Sequence, residues 1–191
     1  EPGSDRLFVL TFDDGYCDTY DKAYPLLKER SLPFTLYLAT ESIETGTSLT
    51  PGGRANPLTW DQISEMHESG LATIGAHTHT HVDMRELTMP CIDKELGISN
   101  SLIEQRLGVE PASFAYPWGY WAEQADPHIR RRYSSAVLGS GGSISATTDA
   151  YLINRVPVQL SDGVFFFVRK VTRGLWLEDR VRRTLRSYYG P

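Results

Sequence analysis

The 191-residue chain is 40% hydrophobic and 23% charged with a net charge of −5, ordinary proportions for a globular protein. That balance speaks against a nucleic-acid surface, and no apolar run approaches the ~18 residues of a transmembrane helix. Two cysteines, Cys17 and Cys91, are too few for a disulfide framework and read as free thiols in a single domain over residues 1–191.

The start, Glu1-Pro2-Gly3-Ser4-Asp5, has no signal-peptide character and reads as a trimmed beginning, from which an N-terminal segment has been lost. An apolar run over 7–12 predicts a strand, and Asp13-Asp14-Gly15 follows it. Residues 18–30 put Tyr20, Ala23, Tyr24 and Leu27 on one helical face, and a second strand is expected over 33–38. The stretch 40–57, rich in Gly, Thr, Ser and Pro, reads as a loop excursion that shapes a cleft. A helix over 60–69 starts behind Thr59 as N-cap and stops at Gly70. A strand over 73–75 then leads into His77-Thr78-His79-Thr80-His81.

Residues 90–107 place Ile92, Leu96, Leu102 and Ile103 roughly in helical register and end at Gly108. Strands over 113–115, 135–138 and 152–158 and a helix over 122–133 follow, with a short loop at 139–143. Helical segments at 164–172 and 177–188 close the chain. Their basic residues (Arg169, Lys170, Arg173, Arg180, Arg182, Arg183 and Arg186) are interleaved with apolar ones and read as solvated helix faces.

Strands alternating with helices predict a parallel sheet built from βαβ crossovers. About six or seven such units fit, so the expected fold is a distorted, incomplete (β/α) TIM-like barrel, with an open doubly wound sheet as the alternative. In either, side chains just past the carboxyl ends of strands converge on one face. Asp13-Asp14 and the histidine cluster both occupy such positions, more than sixty residues apart.

Three histidines at alternate positions allow two chelates. If the segment stays extended, His77/His79 or His79/His81 share a face, and His77 and His81 lie about 13 Å apart. If it turns helical, His77 and His81 become i,i+4 neighbours and His79 points elsewhere. Spacing leaves both open. His67 and His128 sit in helical patterns among polar residues and read as surface positions. Adjacent aspartates on an extended segment point in opposite directions, so one can bind a metal while the other sits beside the reacting water. Mixed His₂-carboxylate ligation suits one divalent ion, Zn first, with Co, Mn, Fe or Ni as alternatives. Such an ion acidifies bound water and polarises an acyl oxygen, and a neighbouring carboxylate can take up a proton. The plainer reading of the pair is a helix cap behind Gly15.

Thr11-Phe12-Asp13-Asp14-Gly15 matches the TFDDG motif of the polysaccharide deacetylases, the NodB-homology family of carbohydrate esterases. Ile74-Gly75-Ala76-His77-Thr78-His79-Thr80-His81 matches that family's IGxH[ST]xxH motif, and Leu58-Thr59-Trp60-Asp61-Gln62-Ile63 between them is similar too. The resemblance runs from about Leu7 to Val158. It implies a distorted barrel, Asp13 as catalytic base, and Asp14, His77 and His81 as metal ligands, leaving His79 a non-ligand. It also implies an N-acetylated glycan as substrate, and hydrolytic deacetylation of an amino sugar in a polysaccharide or surface glycan.

Two departures qualify it. Phe114-Ala115-Tyr116-Pro117-Trp118-Gly119 resembles the exopolysaccharide-type FAYP motif, so Ala115 stands where many members have an arginine that orients the base. By analogy Tyr116, Pro117 and Trp118 line the sugar groove, the Trp118 amide faces the oxyanion, and Arg155, behind a predicted strand, replaces the arginine. No histidine follows His128 to supply the family's late general acid; a lost N-terminal segment, another group or, as a remote stand-in, His79 would have to serve. These gaps keep two rivals, a silent glycan-binding module that retains the metal site and another metal-dependent amidase. The sequence fits a cytoplasmic role in surface-polysaccharide synthesis or export with the signal absent from this chain, and leaves the oligomeric state open.

Overall fold

The computed structural model describes residues 8–49, 55–141 and 144–172. Six strands, β1 (Thr11–Phe12), β2 (Phe34–Leu38), β3 (Ala72–Ala76), β4 (Ser113–Ala115), β5 (Ser135–Leu138) and β6 (Ile153–Asn154), form one sheet. Their spatial order is the chain order, and every pairing is parallel. A doubly wound sheet reverses direction at a switch point. Here each crossover steps the same way, which curls the sheet as a barrel curls. The fold is an incomplete (β/α) barrel, as the strand count predicts.

Helices α1 (Tyr24–Glu29), α2 (Thr40–Thr45), α3 (Trp60–Glu68), α4 (Met89–Leu107), α5 (Asp126–Arg132) and α6 (Gly163–Thr172) connect or follow the strands. A π-turn over Thr19–Ala23 precedes α1, where one continuous helix is expected. Likewise the 122–133 helix is divided, a 3₁₀ turn at Glu123–Ala125 giving way to α5, whose first turn carries Pro127. The expected loop at 40–57 is corrected in part: Thr40–Thr45 is helical, although its polar opening Thr-Glu-Ser carries no apolar period. Glu44 ties it to its surroundings, accepting from Trp60 Nε1 at 2.9 Å and pairing with Arg106. Regular pairing in the first and last strands is shorter than the apolar runs at 7–12 and 152–158 suggest. The expected 177–188 helix lies outside the described residues.

Strand alternation sorts the side chains into two layers. Phe34, Leu36, Leu38, Ala72, Ile74, Ala76, Phe114, Tyr116, Ala136 and Leu138 join the main core with Ile63 and Met66 of α3 and Ile92, Leu96 and Ile103 of α4. Each fully buried aliphatic there contributes about 1.5–3 kcal/mol. Residues of the opposite parity, Tyr37, Ala115 and Val137 with Ile153, form a smaller cluster on the concave face. Gly75 shares that face, because a Cβ on it would lie 2.4 Å from the Tyr37 ring. The same parity, carried past the strand ends, delivers Asp13, His77 and Arg155 to one rim.

Candidate active site

Asp13 and Asp14 are separated by a tight turn. Gly15 N–H donates to the Asp13 carbonyl at 2.9 Å, and Asp14 sits between them at φ +72°. Gly15 itself has φ +83°, and its missing Cβ leaves room for Ile43, 3.0 Å from where that atom would stand. The turn throws the two carboxylates in different directions, the division of labour the double aspartate suggests.

Asp14 Oδ1 lies 3.2 Å from His77 Nε2 and 3.2 Å from His81 Nε2. Their imidazole centroids are 5.0 Å apart, so the 77–81 segment is turned rather than extended. The turn is not helical: Thr78 (φ +64°) and His81 (φ +57°) are left-handed. Thr78 Oγ1 accepts from His81 N–H at 3.1 Å. His79 points elsewhere, its Nδ1 3.0 Å from Thr40 Oγ1. His67 Nδ1 meets the Ala72 carbonyl at 3.0 Å and His128 Nδ1 meets Asp93 at 2.7 Å, so neither joins the cluster.

The chemistry of the three groups fits a cation. His77 Nδ1 lies 2.7 Å from the Ala115 carbonyl, an acceptor only, so Nδ1 carries the hydrogen and Nε2 offers a lone pair. That lone pair faces a carboxylate oxygen, two acceptors with nothing to share unless a positive centre lies between them. His77 is buried, and the Asp14, His77 and His81 ligand atoms all fall within 4.8 Å of one another. Where protons on the two imidazoles take the place of such a centre, their hydrogen bonds and charge outweigh the burial that would raise the Asp14 carboxyl and hold it well below the usual carboxylate range. A structural metal ligand imidazole ordinarily donates its other N–H to a carbonyl or carboxylate, as His77 does.

Arg155 brings the two ends of the sheet together. Its Nη1 and Nη2 each donate to one oxygen of Asp13 at 2.6 Å, and Nη1 also reaches Thr11 Oγ1 at 2.9 Å. A guanidinium just past β6 thereby grips a carboxylate just past β1 in a bidentate fork. The side chains are 18% and 30% exposed, and the Tyr37 ring lies 5.5 Å from the guanidinium.

The Tyr116-Pro117-Trp118 expectation divides. Trp118 is 64% exposed and packs beside His81 with centroids 5.0 Å apart, at φ +62°. Tyr116 does not line a groove. It shares the parity of Phe114, so its ring is fully buried in the helix-covered layer, edge-on to Phe114 at 5.2 Å. Pro117 is buried as well. Sequence reasoning overlooked Glu95 of α4, whose carboxylate accepts from His79 N–H, Thr80 N–H and the Thr80 hydroxyl. The available signal was its place beside the apolar stripe of Ile92, Leu96, Ser99 and Ile103.

The family model described as polysaccharide deacetylase matches residues 1–132. YxkH of Bacillus subtilis (strain 168) is 29% identical over 156 residues, which cover 81% of this chain and 52% of that protein. The poly-beta-1,6-N-acetyl-D-glucosamine N-deacetylase of Staphylococcus aureus (strain MRSA252) is 27% identical over 193 residues, covering 91% and 61%. The chain therefore spans about half of the first relative's length and three-fifths of the second's. Among solved structures, Streptococcus pyogenes deacetylase PplD in complex with acetate matches with a TM-score of 0.76 at 25% identity, over 90% of this chain and 73% of that one. IcaB from Ammonifex degensii matches with a TM-score of 0.71 at 26% identity, over 81% and 68%.

Proposed function

This chain belongs to the polysaccharide deacetylase family, and on that premise we propose that it hydrolyses the N-acetyl amide of an amino sugar within a polysaccharide or surface glycan, with the help of one divalent metal ion. The observation that carries the reading is the pairing of two carboxylates with separate partners, Asp14 with His77 and His81, and Asp13 with Arg155. Asp14, His77 and His81 would hold the ion, Zn being the first candidate for two imidazoles and one carboxylate. When bound, it supplies Lewis acidity that acidifies a coordinated water and polarises the acyl oxygen.

The chain's own residues supply the rest. Asp13 is the general base: its two oxygens carry about four lone-pair sites, and the Arg155 fork occupies only part of them. A carboxylate so held faces the water in one orientation, which favours proton transfer. As the water oxygen bonds to the acyl carbon and the C–N bond breaks, acetate and a free amine form. The amine needs one proton. His67, His79 and His128 each have Nδ1 engaged elsewhere, and the proton that Asp13 takes from the water is the one on hand to return to nitrogen. Trp118, exposed beside His81, offers an apolar wall to a sugar ring. The name of the Staphylococcus aureus relative makes poly-β-1,6-N-acetylglucosamine the first polymer to try.

The test is acetate release from N-acetylglucosamine oligomers. Activity is expected to vanish with a chelator, to return with added Zn, and to fall in Asp13→Asn. A silent glycan-binding module would need the metal ligands but not Asp13 in an Arg155 clamp, and that clamp favours turnover. Binding of the oligomers at full metal occupancy with no acetate released would reverse the choice.

A further inference from the structure

Within residues 77–81 one local hydrogen bond, His81 N–H to Thr78 Oγ1 at 3.1 Å, favours a bend. Extended, the segment would hold His77 and His81 about 13 Å apart. In the fold their rings are 5.0 Å apart, and the approach requires Thr78 and His81 to adopt left-handed conformations that side-chain-bearing residues seldom take. Two left-handed residues need more than that one bond to hold them, and contacts from outside the segment supply it.

Two elements do so from opposite sides. The N-terminal turn of α2 holds the carbonyls, with Glu41 N–H donating to the His79 carbonyl at 2.9 Å and Thr40 N–H to the Thr78 carbonyl at 3.3 Å. Glu95 holds the N–H side. Its Oε2 accepts from His79 N–H at 3.0 Å and Thr80 N–H at 2.9 Å, while Oε1 accepts from Thr80 Oγ1 at 3.0 Å. Two consecutive amides converging on one carboxylate oxygen is the charge-assisted arrangement that fixes a turn. The residue's setting sharpens the point. Glu95 follows Ile92 by three positions and precedes Ser99 by four, on the face where α4 buries Ile92, Leu96, Ser99 and Ile103. Packing alone would favour an apolar side chain there.

We propose that Glu95 is a positioning residue for the metal centre, its carboxylate bending residues 77–81 so that both imidazoles reach Asp14. It touches neither Asp14 nor a ligand imidazole, and acts through the backbone of His79 and Thr80. The inference rests on Asp14, His77 and His81 being the metal ligands, and the experiment separates the two claims.

The measurement is Zn affinity of the purified full chain, by competition with a chromophoric chelator, alongside the melting temperature of the metal-free protein. Glu95→Met keeps the length and suits the apolar stripe but accepts no hydrogen bond. It is expected to melt no lower than the wild type by more than a few degrees, yet to bind Zn about 10–100-fold more weakly, the usual loss when an outer partner of a metal site is removed. Glu95→Gln keeps one oxygen for the two amides and is expected to recover affinity to within about threefold of wild type. Should Glu95→Met fail to fold, Glu95→Asp, one methylene short of the turn, is expected to lose affinity while keeping the charge. A folded Met or Asp variant with wild-type affinity overturns the proposal, as does a Gln variant as weak as Met, which would assign the effect to charge alone. If the wild type binds no Zn, or His77→Ala binds it as tightly as the wild type, the ligand assignment fails instead.

Discussion

Among the described residues five non-glycine positions have positive φ, and four of them, Asp14, Thr78, His81 and Trp118, stand at the strand-end rim. The helix-covered layer behind the same strands has none; its residues Leu36, Leu38, Ile74 and Phe114 lie in regular extended backbone and are almost wholly buried. Each left-handed residue costs of order 1–3 kcal/mol and persists only where neighbours over-determine it. The rim is therefore built from conformations the chain would not choose, held by Arg155, by Glu95 and by the turn of α2, against a layer that supplies ordinary packing energy. The difference teaches that site geometry and fold stability are carried here by different side chains of the same strands, separated by parity.

The strongest way to break that division is to compare Asp13→Asn with Phe114→Ala. The first removes a base at the rim and is expected to lower acetate release by about 10²–10⁴-fold, with Zn affinity and melting temperature near wild type. The second empties a fully buried site and is expected to cost about 3–5 kcal/mol in denaturant unfolding, with kcat of the folded fraction little changed. A large stability loss in Asp13→Asn, or a matching rate loss in folded Phe114→Ala, would show that the layers are one unit.

Gly75→Ala probes the seam between them. The added Cβ would meet the Tyr37 ring at 2.4 Å, and that ring is buried and lies beneath the Arg155 guanidinium. Overpacking of this kind costs about 1–3 kcal/mol. A ring displaced toward the Arg155 guanidinium would shift the Asp13 fork as well, with a rate loss of up to about 10²-fold. Loss of stability without loss of rate would mean that Tyr37 gives way in another direction. A smaller step is Arg155→Lys, which keeps the charge and loses the fork. About a tenfold fall in kcat is expected, roughly 1.4 kcal/mol, with KM for the oligomer unchanged. A rise in KM alone would move Arg155 from positioning Asp13 to touching the glycan.

The same division explains what could be read from the sequence. The order of strands and helices, the incomplete barrel and the convergence of the TFDDG segment and the histidine cluster on one rim follow from patterns local to each segment, apolar runs, caps and strand ends, while His77 and His81 are singled out only by the family resemblance. The choice between an extended and a turned histidine segment was not local. It depends on Glu95, eighteen residues after His77, whose one mark in the sequence is its place beside the apolar stripe of α4. Helix α2 was hidden because Thr40, Glu41 and Ser42 open it without an apolar period, and its order comes from α4 and Trp60 through Glu44. Tyr116 was misplaced for the opposite reason. A motif suggested a groove, while simple alternation from Phe114 already assigned its ring to the buried layer.

The smallest expected effect tests whether strain at the rim is insulated from fraying in the layer. Thr59 and Gln62 form a reciprocal cap on α3: Thr59 Oγ1 accepts from Gln62 N–H at 3.3 Å, and Gln62 Oε1 accepts from Thr59 N–H at 3.0 Å. Thr59→Ala removes half of it, at a cost of about 1 kcal/mol and about 2–4 °C in melting temperature for a chain of this size. Helix α3 buries Ile63 and Met66 in the core that backs β3, and His77 directly follows β3, so a route to the site exists. That route should not transmit. Strand β3 is held over five register pairs to β2 and by the Ala76–Phe114 pair to β4, while the lost cap loosens only the first turn of α3. Zn affinity and acetate release at 25 °C are expected to match the wild type. If either falls with the cap, the rim borrows its geometry from the helix layer after all, and the separation by parity is an account of packing rather than of function.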